Sequence, residues 1–183
     1  MLTHRDTHFL CLFIIYIIWR CFVGLDMYFT ARQYLSSWND ADKELKTKVS
    51  ALVEGMATEW EVKEVSFEVA YWRKANAIHN WFVQNVQEGE DDCKSYYVNE
   101  NCIIELYDTV CQVLEDHSKA EELLPPQGGF FFGGTEIDEW YFKDLEYTRE
   151  VFEPLVTKIM YAKDYPNERH DIWNYDFYYQ SSW

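Results

Sequence analysis

The chain has 183 residues and a formal net charge of −16, from 32 acidic against 16 basic residues. Hydrophobic residues at 48% and aromatics at 19% exclude general disorder, and the length suits a single domain with one sizeable core. The acidic excess argues against direct nucleic-acid binding, since phosphate backbones would be repelled, and favours a protein partner with a basic surface. Glu88 to Glu122 concentrates this charge, with eleven acids against only Lys94 and Lys119.

Phe9 to Leu25 reads FLCLFIIYIIWRCFVGL, broken by Arg20. Its length is at the lower edge of what crosses about 30 Å of hydrocarbon as a helix, and Arg20 beside Trp19 can snorkel to the interface. One reading is a membrane span or signal anchor, with Arg32, Lys43 and Lys46 holding the acidic remainder in the cytoplasm. The other is an extension upstream of a true start at Met27. The division expected is a hydrophobic N-terminal segment, 1–26, and an acidic α+β domain, 27–183. The five cysteines Cys11, Cys21, Cys93, Cys102 and Cys111 are odd in number and lack CxxC spacing. They indicate neither a disulfide framework nor a zinc site, and a reducing compartment is the economical inference.

Helices are predicted over Asp26–Ser36 and Asp40–Met56, the second capped by Asn39 or Asp40 and closed near Gly55, forming a helical hairpin. Trp60 to Tyr71 alternates apolar and polar residues and reads as a half-buried strand. Arg73 to Gln87 follows as an amphipathic helix with Ile78, Trp81, Phe82 and Val86 on one face. Asn99 caps a further helix with Ile103, Leu106, Val110, Val113 and Leu114 inward, stopping near His117. A short helical turn at Ala120 to Leu124 ends at Pro125 and Pro126. Gln127 to Thr135 is too glycine-rich for an ordinary helix and reads as a loop. Thr135 with Asp138 suggests a capping box before Tyr141, Leu145, Thr148 and Phe152, and Pro154 is expected to start a separate helical segment. Tyr175, Phe177 and Tyr179 alternate as a closing strand that pairs with Val62 to Tyr71. The expected fold is α+β, a mainly helical single domain with a small antiparallel strand pair, preceded by the hydrophobic N-terminal segment.

His79, Asp91, Asp92 and Cys93 form the most site-like cluster by residue type, yet their spacing is not that of a metal site, and no metal or cofactor is predicted. His79 sits beside Ile78 at the edge of the apolar face, where a structural role is favoured. An enzyme would instead bring His79, Asp92 and Asp138 together in a cleft as acid–base groups. Gly128, Gly129, Gly133 and Gly134 match neither phosphate-loop pattern; the loop has no lysine, and Glu136 and Asp138 would repel an anion. Phe130, Phe131 and Phe132 within it are either buried or a contact patch. Together with Asp91, Asp92 and Trp140 they are the candidate binding residues. Arg73 and Lys74 are expected to face solvent or to pair with the acidic turn at Glu88 to Asp92.

Three stretches carry a resemblance: YWRKANAIHNWFVQNVQEGEDDC from Tyr71, GGFFFGGTEIDEWYFKDLEYT from Gly128, and FYYQSSW from Phe177. With them the region from Val62 to Trp183 resembles a widespread family of small uncharacterised proteins of tailed bacteriophages and prophages. The resemblance implies a phage or prophage origin, hence a host cytoplasm with or without the N-terminal anchor, and carries no activity with it. The function expected is an accessory interaction protein that binds a host or phage protein and interferes with a nucleic-acid-handling or defence factor. An enzyme of unrecognised type and a membrane-anchored accessory protein are the alternatives.

Overall fold

The computed structural model describes residues 24–52 and 60–183. All but the last two residues of the hydrophobic segment Phe9 to Leu25 lie outside these, as does the helix end expected near Gly55. Among the described residues no helix is long and apolar enough to cross a membrane. In chain order the elements are β1 (Asp26–Tyr34), α1 (Asp40–Leu52), β2 (Glu64–Arg73), α2 (Asn76–Asn85), β3 (Tyr96–Val98), α3 (Glu100–Glu115), α4 (Ala120–Leu123), α5 (Glu139–Asp164) and β4 (Asp176–Ser182).

The class is mixed α+β, and the expected strand pair is in fact a four-stranded antiparallel sheet in the order β2-β1-β4-β3. The difference begins at Asp26 to Tyr34, a strand where a helix was predicted. Met27, Phe29 and Ala31 are buried at alternate positions, while Tyr28, Thr30 and Arg32 between them stay partly accessible, which is the period of a pleated strand. That strand sits in the centre of the sheet. Phe29 lies opposite Ala70 on one side and Tyr179 on the other, so β4 pairs with β1 and not with Val62 to Tyr71. Tyr96–Val98, too short for its alternation to mark a strand, adds the edge strand β3 against Phe177 to Tyr179.

α2, α3 and α5 bring their apolar stripes to one face of this sheet. The Phe29 ring meets Phe152 at 5.1 Å, Phe177 at 5.7 Å and Phe82 at 6.1 Å between centroids, drawing β1, β4, α2 and α5 into one core. Burying each such ring contributes about 1.5–3 kcal/mol. Leu25 is fully buried in the same core. Its N–H donates to Phe131 O at 3.1 Å and its carbonyl accepts from Lys74 N at 2.8 Å. The folded unit therefore takes in Leu25 and Asp26, upstream of Met27.

α3 follows its predicted pattern. Asn99 Oδ1 accepts from Asn101 N at 2.9 Å and Cys102 N at 3.0 Å, and Ile103, Leu106, Val110 and Val113 are buried. α5 departs from expectation twice. Its cap is Asp138, whose Oδ1 accepts from Trp140 N at 2.9 Å and Tyr141 N at 3.1 Å, rather than Thr135. It also continues through Pro154 as one helix of 26 residues. Pro154 removes one helical hydrogen bond, but it is exposed, and Phe152, Leu155, Val156 and Ile159 keep the stripe buried on both sides of it. Packing along α3 and into the core outweighs the local cost.

One buried polar contact ties β2 to α5: Trp72 Nε1 donates to Thr148 Oγ1 at 2.9 Å. Thr148→Val keeps the shape and strands the indole N–H, so it should cost about 1–2 kcal/mol, measured as a lower denaturant midpoint with an unchanged slope.

Candidate functional site

Residues 71–93, 128–148 and 177–183 meet in space around His79. α2 holds the imidazole at the core boundary, with the ring fully buried. Nε2 lies 2.9 Å from Asp91 Oδ2, and Nδ1 lies 2.7 Å from the Tyr179 hydroxyl. A carboxylate can only accept, so Nε2 carries the proton shared with Asp91. Burial raises the Tyr179 phenol well above its ordinary range, aided by the negative charge of Asp91; the neutral hydroxyl then donates to Nδ1. Asp91 Oδ1 also accepts from the Trp183 indole at 3.1 Å.

The Gly-Phe loop closes over this network. Phe132 packs edge-on against His79 with centroids 5.0 Å apart, and Phe131 lies nearly parallel to Trp183 at 6.3 Å. Gly129 is needed there because a β-carbon would stand 2.7 Å from the Phe132 ring. Phe130, in contrast, is 93% exposed at the loop's tip, with its ring edge-on to Phe131 at 4.9 Å.

His79, Asp92 and Asp138 do not form one acid–base group. Both ring nitrogens of His79 are already engaged and out of solvent's reach. Asp92 pairs with Lys94 at 2.5 Å and accepts from the Tyr96 hydroxyl at 3.0 Å; the Lys94 hydrogen bond is the main cause of its lowered pKa. Asp138 caps α5 and lines a cleft that neither His79 nor Asp92 lines. Among the described residues no group of three or more His, Cys, Asp and Glu side chains is placed to hold a metal ion. Cys93, Cys102 and Cys111 are free thiols.

That cleft, of about 320 Å³, lies between the β2–α2 turn, Gly133 and Gly134, and the first turns of α5. One wall carries Arg73, Lys74 and the start of α2; the other carries Glu136, Asp138, Trp140 and Asp144. Lys74 takes a left-handed turn at φ 64, and its aliphatic stem runs over Gly133, itself at φ 88. Asn76 Nδ2 donates to the carbonyls of Phe132 at 3.1 Å and Gly134 at 2.6 Å, fixing the loop to the helix start. α2 has no side-chain cap; Asn76 N donates to Lys74 O at 2.8 Å, and the positive end of the helix dipole adds positive potential to that wall. Burial, with Asp138 nearby, pushes Asp144 up to about 6. A perturbed carboxyl in a cleft is a mark of functional sites.

No family model, curated protein or solved structure matches the chain. Sequence reasoning singled out Asp138 and Trp140 but missed Asp144, and it assigned Arg73 and Lys74 to solvent or the acidic turn. Arg73 instead stands 4.0 Å from Asp26. The signal for Asp144 was present: it lies three residues after Tyr141 and beside Leu145, both buried, which places a carboxyl at the edge of an apolar stripe.

Proposed function

We propose that this is an accessory interaction protein of phage or prophage origin that acts in the host cytoplasm. It binds a host or phage protein through Phe130 and the neighbouring acidic turn, and interferes with a nucleic-acid-handling or defence factor. The observation that carries the reading is Phe130, almost wholly exposed on a loop whose other two phenylalanines are anchored. A solvated aromatic ring on a rigid base has little ordering entropy left to lose on docking, and aromatics dominate binding hot spots. Glu88 and Glu90 are exposed in the adjoining turn, beyond the Asp91–Trp183 contact, and this acidic rim favours a basic partner surface.

The test is co-purification from a bacterial host with the tagged full-length protein, at low and high salt, alongside Phe130→Ala. Phe130→Ala should leave stability within about 0.5 kcal/mol, as expected for an exposed side chain, and weaken capture of a stoichiometric partner by about tenfold or more. High salt should weaken it further. A partner held equally well by the variant and at high salt would overturn this docking surface.

A further inference from the structure

The cleft at the β2–α2 turn has a property that docking through Phe130 does not use: it presents charges of both signs to one small space. Arg73 and Lys74 stand on one wall and Glu136, Asp138 and Asp144 on the other. No ion pair joins the two sets among the described residues; Arg73 instead reaches Asp26, which does not line the cleft, at 4.0 Å. The framework that separates them is rigid. Lys74 N is bound to Leu25 O at 2.8 Å, Leu25 N to Phe131 O at 3.1 Å, and Asn76 Nδ2 to Gly134 O at 2.6 Å. The acidic wall is fixed through Asp138, which is locked as the cap of α5. Collapse of one wall onto the other would break these bonds.

We propose that this cleft binds a small zwitterion of the amino-acid class, its carboxylate toward Arg73, Lys74 and the start of α2 and its ammonium toward Asp138 and Asp144. The volume of about 320 Å³ lies at the small end of ligand sites. Such a molecule answers both walls at once, whereas a simple anion would face three carboxylates and a simple cation would face Arg73 and Lys74. The exposed indole of Trp140 at the rim gives apolar surface to the ligand's side chain.

The arrangement also sets a pH dependence. Asp144 shares the cleft with Asp138 from the α5 cap, Glu136 from the loop, Arg73 and Lys74 from the β2–α2 turn and Tyr141 from its own helix. With its carboxyl pushed up to about 6, an ammonium group binds best once Asp144 is ionised, and affinity should rise as pH increases through that value.

The experiment is calorimetric titration of the full chain with the free amino acids, β-alanine, γ-aminobutyrate and ε-aminocaproate, each beside its N-acetyl and amide analogue. The expected result is saturable binding by at least one zwitterion, weakened tenfold or more when either charge is blocked and when Asp144→Asn or Lys74→Met is introduced. Lys74→Met keeps the stem over Gly133 and removes only the charge. Binding that survives blocking of the amine would make this an anion site and overturn the proposal. So would binding that survives blocking of the carboxylate, or no heat with any probe. Phe130→Ala should leave the titration unchanged, which separates this outcome from failure of the interaction reading.

Discussion

Replacing His79 with alanine should destabilise the protein by about 3–5 kcal/mol, enough to unfold much of a domain of ordinary stability. Three losses add. The imidazole is fully buried, so its removal leaves a cavity. The Tyr179 hydroxyl, also fully buried, loses the acceptor it reaches at 2.7 Å. Asp91 loses a donor at 2.9 Å while still bound to Trp183, and an unpaired buried polar group costs its own desolvation. Tyr179 further stacks on Phe82 with centroids 3.9 Å apart and planes 8° from parallel, so disorder at His79 spreads to the centre of the core. Tyr179→Phe keeps that stack and should cost only about 1–2 kcal/mol. Denaturant unfolding of the three proteins checks the order. Were His79→Ala as stable as wild type, the buried network would not be what holds the three stretches together.

Asp144→Asn should act in the opposite direction and stabilise the protein, by about 1–3 kcal/mol at pH 8. Asp144 is raised from an ordinary 3.8 to about 6, first by burial and then by the charge of Asp138. A carboxyl whose folded pKa is raised contributes stability that is present below its unfolded value of about 3.8 and is lost as pH rises through about 6. Above that value the native state carries a charge its surroundings disfavour. Asparagine removes the charge, so the gain should be full at pH 8 and close to nothing at pH 4. Unfolding at both values tests the sign. A variant less stable than wild type at pH 8 would mean that Arg73 and Lys74 across the cleft already compensate the ionised carboxylate. The prediction fits a familiar pattern in which a binding site is kept at some expense to stability.

Both predictions concern carboxyl and imidazole groups whose surroundings come from distant parts of the chain, and that separates what could be read in the sequence from what could not. α3 was legible: Asn99 provides the cap, and Ile103, Leu106, Val110 and Val113 recur at helical spacing, all of it local chemistry. The Gly-Phe loop was legible too, because glycine on both sides of Phe130 to Phe132 excludes an ordinary helix whatever surrounds it. α5 was half legible. Its apolar spacing marked the helix, but continuation through Pro154 depended on packing that the local rule for proline does not contain. β1 was misread because MYFTARQYL supports either period over so short a run; its place between β2 and β4, with both edges bonded, made it a strand.

Composition and local pattern by themselves determined that this chain folds as an acidic α+β domain, where α3 begins, and that Phe130 to Phe132 lie in a loop. Tertiary structure alone decided the sheet order, the His79–Asp91–Tyr179–Trp183 network, the burial of Leu25 and the cleft that sets Arg73 and Lys74 against Asp138 and Asp144. The physical reason is range. Capping, helical spacing and glycine content act over a few residues and are written in neighbouring positions. Strand pairing and the pKa of a buried carboxyl depend on which segments, up to about a hundred residues apart as for His79 and Tyr179, are brought within hydrogen-bonding distance.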